Sequence, residues 1–315
     1  MTAPIFFIPV FQERIWGGTH LREVFGYEIP SETTGECWAI SAHPNGQSIV
    51  KDGIYKGLTL GELWDKHREL FGNAKGDVFP LLTKILDANH DLSVQVHPDD
   101  TYAQDFENGE LGKTECWYII DCKENAEIIY GHHVKTKEEL IAKISGGQWD
   151  ALLRRVKIKP GDFFYVPSGT IHALCAGTLV LETQQSSDTT YRLYDYDRRD
   201  DKGNLRELHL EKAIDVIRVP HFDMECQPQT TMVEGREIIA YVQSEFFSVY
   251  KWSMHGETSI KQTEPFLIAS VLTGEGTIVT EEHSYPFKKG DHFILPANFG
   301  SATIIGRSEW IVSHV

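Results

Sequence analysis

The sharpest alternation of apolar and polar positions falls at Leu92-Ser93-Val94-Gln95-Val96-His97, followed by Pro98-Asp99-Asp100. It predicts a strand. Side chains on a strand switch faces at each residue, so Gln95 and His97 share the face opposite Leu92, Val94 and Val96. Other strands follow the same logic. Residues 5–16 read as one, with Gly17-Gly18 marking a turn or a close backbone approach. Residues 36–41 read as another, ended by His43-Pro44-Asn45-Gly46. Residues 79–86 continue the pattern. Lys113-Thr114-Glu115 opens a strand over 116–120, with Lys113 and Glu115 again two apart. Residues 156–182 read as strand, turn, strand, and the Pro167-Ser168-Gly169 turn delivers His172. Spacing of three and four predicts helices from Thr59 to about Phe71, from Thr136 to a break at Gly146-Gly147 with a resumption through Leu153, and over 205–216. Thr59 with Glu62 fits a capping box. Past Pro220 only short strands and turns are expected.

One pattern repeats. Lys159-Pro160-Gly161-Asp162, four mostly apolar residues, then Pro167 recurs as Lys288-Lys289-Gly290-Asp291, four residues, then Pro296. The first copy supplies His172 after its turn; the second has Ser301 at that offset. Two related β-modules, one equipped and one stripped, are the simplest account.

Composition narrows the classes. At 315 residues and 41% hydrophobic, the chain can bury one large core or two modest ones. No apolar run is long enough for a membrane helix. Met1-Thr2-Ala3-Pro4 lacks the basic and apolar regions of a secretory signal. Five scattered cysteines without a CxxC pair fit reduced thiols in a cytoplasm. The net charge of −16 argues against nucleic acid or an anionic membrane as partner. A small-molecule substrate and a monomer or small homo-oligomer are expected.

An amide and an imidazole on one face of an apolar strand need a partner. The reading is that Gln95, His97, Glu115 and His172 converge on one metal ion. Either histidine alone is a satisfied structural residue; the joint placement points to the metal. Two imidazoles, one carboxylate and one amide oxygen suit zinc, manganese, iron(II) or cobalt. A single carboxylate leaves such a site net positive. Lys113 alone reads as a surface lysine, but its spacing from Glu115 aims it at the same cavity.

Gly161-x5-Pro167-x-Gly169-x2-His172 resembles the second signature of the cupin barrels, and the stripped copy resembles the second half of a bicupin. The set as a whole is similar to type I mannose-6-phosphate isomerases of the shorter bacterial form. The residues carrying this are Trp16-Gly17, Gly35-Glu36-x-Trp38 with His43-Pro44-Asn45-Gly46, and residues 93–98. They continue with Lys113-Thr114-Glu115, His172-Ala173, and Glu182 through Ser187-Asp188-Thr189-Thr190-Tyr191-Arg192. The resemblance spans most of 6–220. It implies a mostly β protein of two cupin-like jelly-roll modules, with a few helices packed on the first. Residues 1–220 would be catalytic and 221–315 the degenerate module. It further implies one zinc ion held by Gln95, His97, Glu115 and His172, Arg192 as an active-site arginine, and interconversion of mannose 6-phosphate and fructose 6-phosphate. The chain departs from the longer members in two ways. It lacks their large helical insertion. Arg192 is followed by Leu193-Tyr194-Asp195-Tyr196-Asp197-Arg198, which removes a lysine credited with phosphate contact.

An aldose–ketose isomerase moves a proton between C1 and C2 through an enediol. It needs a Lewis acid, a base near carbon, and charge for the phosphate. Lys113 is the expected base, its pKa lowered by the metal and by burial; Glu182 competes for the role. Arg192 holds either the enediolate or the phosphate. Glu36 lines the cavity as a hydrogen-bond partner or proton shuttle. Two rival readings are a metal-dependent cupin oxygenase, which usually carries more histidine ligands and redox-active iron, and a non-catalytic sugar-binding bicupin. Lys113 and Arg192 beside an intact ligand set argue against the second. Elsewhere the plain readings hold. Asp99-Asp100 is a solvated turn. Arg198-Arg199 with Asp195, Asp197, Asp200 and Asp201 form a mixed-charge surface loop, with phosphate contact the lesser reading. Cys116 and Cys175 are small buried hydrophobes. His132-His133 carry no function.

Overall fold

Strand alternation builds three antiparallel sheets. The computed structural model describes residues 3–199, 202–224 and 226–315. A six-stranded sheet runs Phe163–Val166, Glu115–Cys122, Thr178–Gln185, Leu81–Ala88, Thr34–Ile40, Val10–Gly18. A five-stranded sheet runs Tyr191–Tyr194, Val94–Val96, His172–Leu174, Glu127–His132, Leu153–Lys157. Leu86, Trp117 and Val180 from the first meet Ile128, Tyr130 and Leu174 from the second in one core. The two sheets stack as a sandwich and remain separate rather than closing into one barrel.

The third sheet holds the C-terminal strands, with Trp310 fully buried and met edge-on by Phe287 and Phe293 at 5.0 and 5.2 Å. Its far edge is built from the start of the chain: Ile5–Ile8 pairs with His292–Leu295, and Ile49–Val50 pairs with Ile5–Ile8. Phe6 and Phe7 therefore enter different cores. Phe6 joins Trp310, and Phe7 joins Phe71, Phe79 and Phe266. The repeated pattern folds as two equivalent turns. Gly161 and Gly290 take φ of +92° and +87°. Asp162 accepts from Lys159 N at 2.9 Å, and Asp291 accepts from Lys288 N at 2.8 Å.

Helices are few and short. Thr59 caps Leu60–Lys66: its hydroxyl accepts from Glu62 N, and the Glu62 carboxylate accepts from Thr59 N at 3.1 Å. Thr59→Ala is expected to cost about 1 kcal/mol, read as a lower urea midpoint at unchanged slope. The predicted helix after Thr136 forms as Lys137–Ser145 and, past the Gly pair, Trp149–Leu152. Asp99-Asp100 is a helix start rather than a bare turn. Asp99 caps Asp100–Phe106 by accepting from Tyr102 N at 2.9 Å, and Asp100 Oδ1 accepts from Gly112 N and Gln185 Nε2. The helix predicted over 205–216 begins only at Leu210. Arg206 is drawn to Asp195, and His209 N donates to Arg192 O at 2.8 Å, so tertiary contacts outweigh helical spacing before Leu210. The mixed-charge loop is corrected in part. Arg199 and Asp197 are exposed, but Asp195 is buried between Arg198 and Arg206. Asp200 and Asp201 lie outside the described residues. Among the described residues no helix is long and apolar enough to cross a membrane.

Candidate metal centre and active site

Strand register assembles the site. Gln95 stands opposite His172 in the five-stranded sheet, with Arg192 on its other side. On the six-stranded sheet, Trp38, Lys84, Glu182 and Trp117 line up across four strands, and Glu115 stands opposite Gln184. The sandwich brings the two sets face to face. His97 Nε2 lies 3.5 Å from Glu115 Oε2, and His172 Nε2 lies 3.3 Å from Glu115 Oε1. One donor atom from each of His97, Glu115 and His172 falls within 4.8 Å of the others, and all three residues are buried. Each Nδ1 pairs with a backbone carbonyl: His97 with Thr189 O at 2.9 Å and His172 with Thr170 O at 2.8 Å. That pairing puts the proton on Nδ1 and turns the Nε2 lone pair inward. Gln95 lies beside them, its amide nitrogen 3.4 Å from His172 Nε2.

The charges follow from burial. His97 is pulled down to about 3, first by burial and then by Lys113; His172 is lowered by burial. Both rings are therefore neutral and able to donate lone pairs. Burial opposes ionisation of Glu115, but Lys113 and the histidines outweigh it and hold the carboxyl well below its usual range.

Above this floor lies a cavity of about 340 Å³. Lys113 reaches it as its spacing predicts, with Nζ 3.1 Å from Glu115 Oε2. Its pKa moves opposite to expectation. Burial favours the neutral amine, but Glu115 and Glu182 hold the proton on and raise it above the ordinary lysine range. Glu182 accepts from Trp117 Nε1 at 2.9 Å and is pushed up to about 7, by burial and then by Glu115. Glu36 is engaged on both oxygens, by the Arg14 fork at 2.9 and 3.2 Å and by Trp38 Nε1 at 2.5 Å. Arg192 also lines the cavity. Cys116 and Cys175 are buried, and burial pushes Cys175 up to about 11, as inert thiols should be.

Sequence reasoning missed three groups here. Lys84 sits between Glu36 and Glu182, 3.9 and 3.8 Å from their carboxylates. A lysine inside the apolar run 79–86 was the available signal. Asp188, steadied by Asn45 Nδ2 at 2.9 Å, and Arg206 also line the cavity.

Stacked antiparallel sheets carrying a His–Glu–His set at their centre define a cupin. The particular family follows from comparison with known proteins. Residues 5–121 match the family model "Phosphomannose isomerase type I, catalytic domain", and residues 237–315 match "Mannose-6-phosphate isomerase, cupin domain". The chain is 61% identical to mannose-6-phosphate isomerase ManA of Bacillus subtilis over 314 residues, 100% of this chain and 99% of the relative. It is 56% identical to the mannose-6-phosphate isomerase of Streptococcus mutans, at 100% and 99% coverage. The crystal structure of the mannose 6-phosphate isomerase from Bacillus subtilis superposes with a TM-score of 0.98 at 61% identity, covering both chains fully. The chain belongs to the type I phosphomannose isomerase family.

Proposed function

We propose that the protein is a zinc-dependent isomerase that interconverts mannose 6-phosphate and fructose 6-phosphate through an enediol. The observation that carries this is Glu115. Both its carboxylate oxygens are buried without a hydrogen bond of proper geometry; Lys113 Nζ offsets Oε2 alone, at 3.1 Å, while an imidazole Nε2 faces each oxygen. A buried carboxylate with one oxygen left without a cation, beside two neutral imidazole lone pairs, is costly unless something else compensates it. A divalent cation held by Gln95, His97, Glu115 and His172 does so. For Gln95 the amide turns to present Oε1, an assignment that amide oxygen and nitrogen leave open. When bound, the metal polarises the substrate's carbonyl and hydroxyl oxygens.

The remaining work falls to the chain's own groups. Of the two base candidates, Glu182 is poised near neutrality and Lys113 is held protonated. Glu182 therefore takes the carbon-bound proton and returns it to the adjacent carbon. Lys113 and Lys84 hold their positive charge toward the developing enediolate. We assign Glu36 to fixing Arg14, since both its oxygens are occupied. Residues 221–315 brace the catalytic half, with Ile5–Ile8 stitched into their sheet.

A coupled assay of mannose 6-phosphate isomerisation tests this. Chelation is expected to abolish turnover, and zinc is expected to restore it without oxygen. Recovery only with iron and oxygen would favour the oxygenase reading. Sugar binding without turnover would favour a passive bicupin.

A further inference from the structure

We propose that Arg206 and Arg192 form the phosphate clamp of this cavity, held in place by Asp195. Naming the substrate rests on the isomerase reading above; naming the anion rests on geometry alone.

Both guanidinium groups line the same cavity as Ser93 and Thr190. Each is anchored along one edge. Arg206 gives Nε and Nη2 to the two Asp195 oxygens at 2.7 and 2.5 Å. Arg192 gives Nε to Ser93 Oγ at 3.2 Å and Nη1 to Glu207 O at 2.8 Å. One terminal nitrogen of each, Nη1 of Arg206 and Nη2 of Arg192, has no partner among the described residues.

The charges gathered here point to an anion. Arg192, Arg198 and Arg206 gather around a single buried carboxylate, Asp195, to which Arg198 Nη2 also donates at 2.5 Å. Of the other acids described on this segment, Asp197 is exposed and Glu207 has its side chain 83% exposed. Like charges held this close repel: burial and then Arg206 lower the pKa of Arg192. Three guanidiniums against one buried carboxylate leave a local excess of positive charge, which suits a phosphate monoester. Planar forks suit that geometry better than point charges do.

The placement suits a sugar phosphate. Arg192 stands beside Gln95 in register, but its side chain passes Ser93 and reaches Glu207, away from the metal ligands. Ser93 and Gln95 are two strand residues apart, roughly 6–7 Å. A hexose chain lies between the two ends, with C1 and C2 at the metal floor and the 6-phosphate at the arginines. This also accounts for the lysine lost after Arg192. The charge comes instead from Arg206, fourteen residues on by sequence, and that is why residues 205–209 stay out of the helix that starts at Leu210.

The test uses wild type, Arg206→Met, Arg206→Lys and, as a control on the same loop, exposed Arg199→Ala. Affinity for inorganic phosphate is measured by calorimetry, and KM and kcat for mannose 6-phosphate by coupled assay. Arg206→Met is expected to weaken phosphate binding and raise KM by about 10- to 100-fold, with kcat within about threefold of wild type. Arg206→Lys keeps the charge and loses the fork, so it is expected to fall between. Arg199→Ala is expected to match wild type. Unchanged phosphate affinity and KM in Arg206→Met overturns the clamp. If that variant does not fold, unchanged values in Arg206→Lys overturn it. Arg206-dependent phosphate binding in a wild type that does not isomerise sustains the clamp and removes the isomerase reading. Isomerisation with Arg206-independent phosphate binding removes the clamp alone.

Discussion

Glu115→Gln is expected to empty the metal site and to lower kcat/KM by about 10³-fold or more. The side chain keeps its shape and loses its charge. Glu115 is the only carboxylate among the four proposed donors, so the variant leaves a neutral set that holds a divalent cation weakly. Losing the Lewis acid removes several kcal/mol of transition-state stabilisation, and each 1.4 kcal/mol or so is tenfold in rate. The change also leaves protonated Lys113 without its nearest carboxylate, 3.1 Å away in the native site. Its amine is then expected to titrate lower. Metal analysis of the purified variant checks the first claim and the coupled assay the second. A full complement of zinc with near-native turnover would remove Glu115 from the ligand set.

The sequence made the floor of the site legible and its walls only partly so. Gln95 and His97 declare a shared face because strand alternation is local, and Glu115 and His172 sit at strand starts marked by their flanking residues. The repeated Gly-Asp turn was readable for the same reason. What was not readable is register. Lys84 meets Glu182 because Leu81–Ala88 pairs with Thr178–Gln185 across nearly a hundred residues of chain, and no local pattern encodes that partner. Without it, the direction in which Lys113 and Glu182 shift cannot be read, since each depends on which charges the pairing brings near. Residues 205–209 show the other limit. Their spacing is helical, but Arg206 has a buried carboxylate to reach, and that contact exists only in the folded chain. The start of the chain is a third case. Ile5–Ile8 reads as a strand, but its partner, His292–Leu295, lies at the far end of the sequence.

Glu182→Gln separates the two candidates for the base. Burial and the neighbouring Glu115 push Glu182 up to about 7, while Lys113, Lys84 and Trp117 Nε1 pull the other way. A base works deprotonated, so wild-type activity is expected to rise with pH through this group's pKa and to fall below it. A bound divalent cation favours the carboxylate and moves that limb to lower pH. Glu182→Gln is expected to lower kcat by about 10²- to 10⁴-fold, to erase the acidic limb, and to leave the metal content unchanged. Stability is expected to move the opposite way. A carboxyl with a raised folded pKa favours the fold while protonated and loses that contribution as pH rises through the unfolded and then the folded pKa. Above neutral pH the glutamine variant should therefore melt higher than wild type, a shift that lost packing would not produce. Lys113→Met removes a cation that lowers the Glu182 pKa, so its limb is expected to move to higher pH rather than vanish. If the limb survives in Glu182→Gln and disappears in Lys113→Met, the lysine is the base and the roles assigned to the two are reversed.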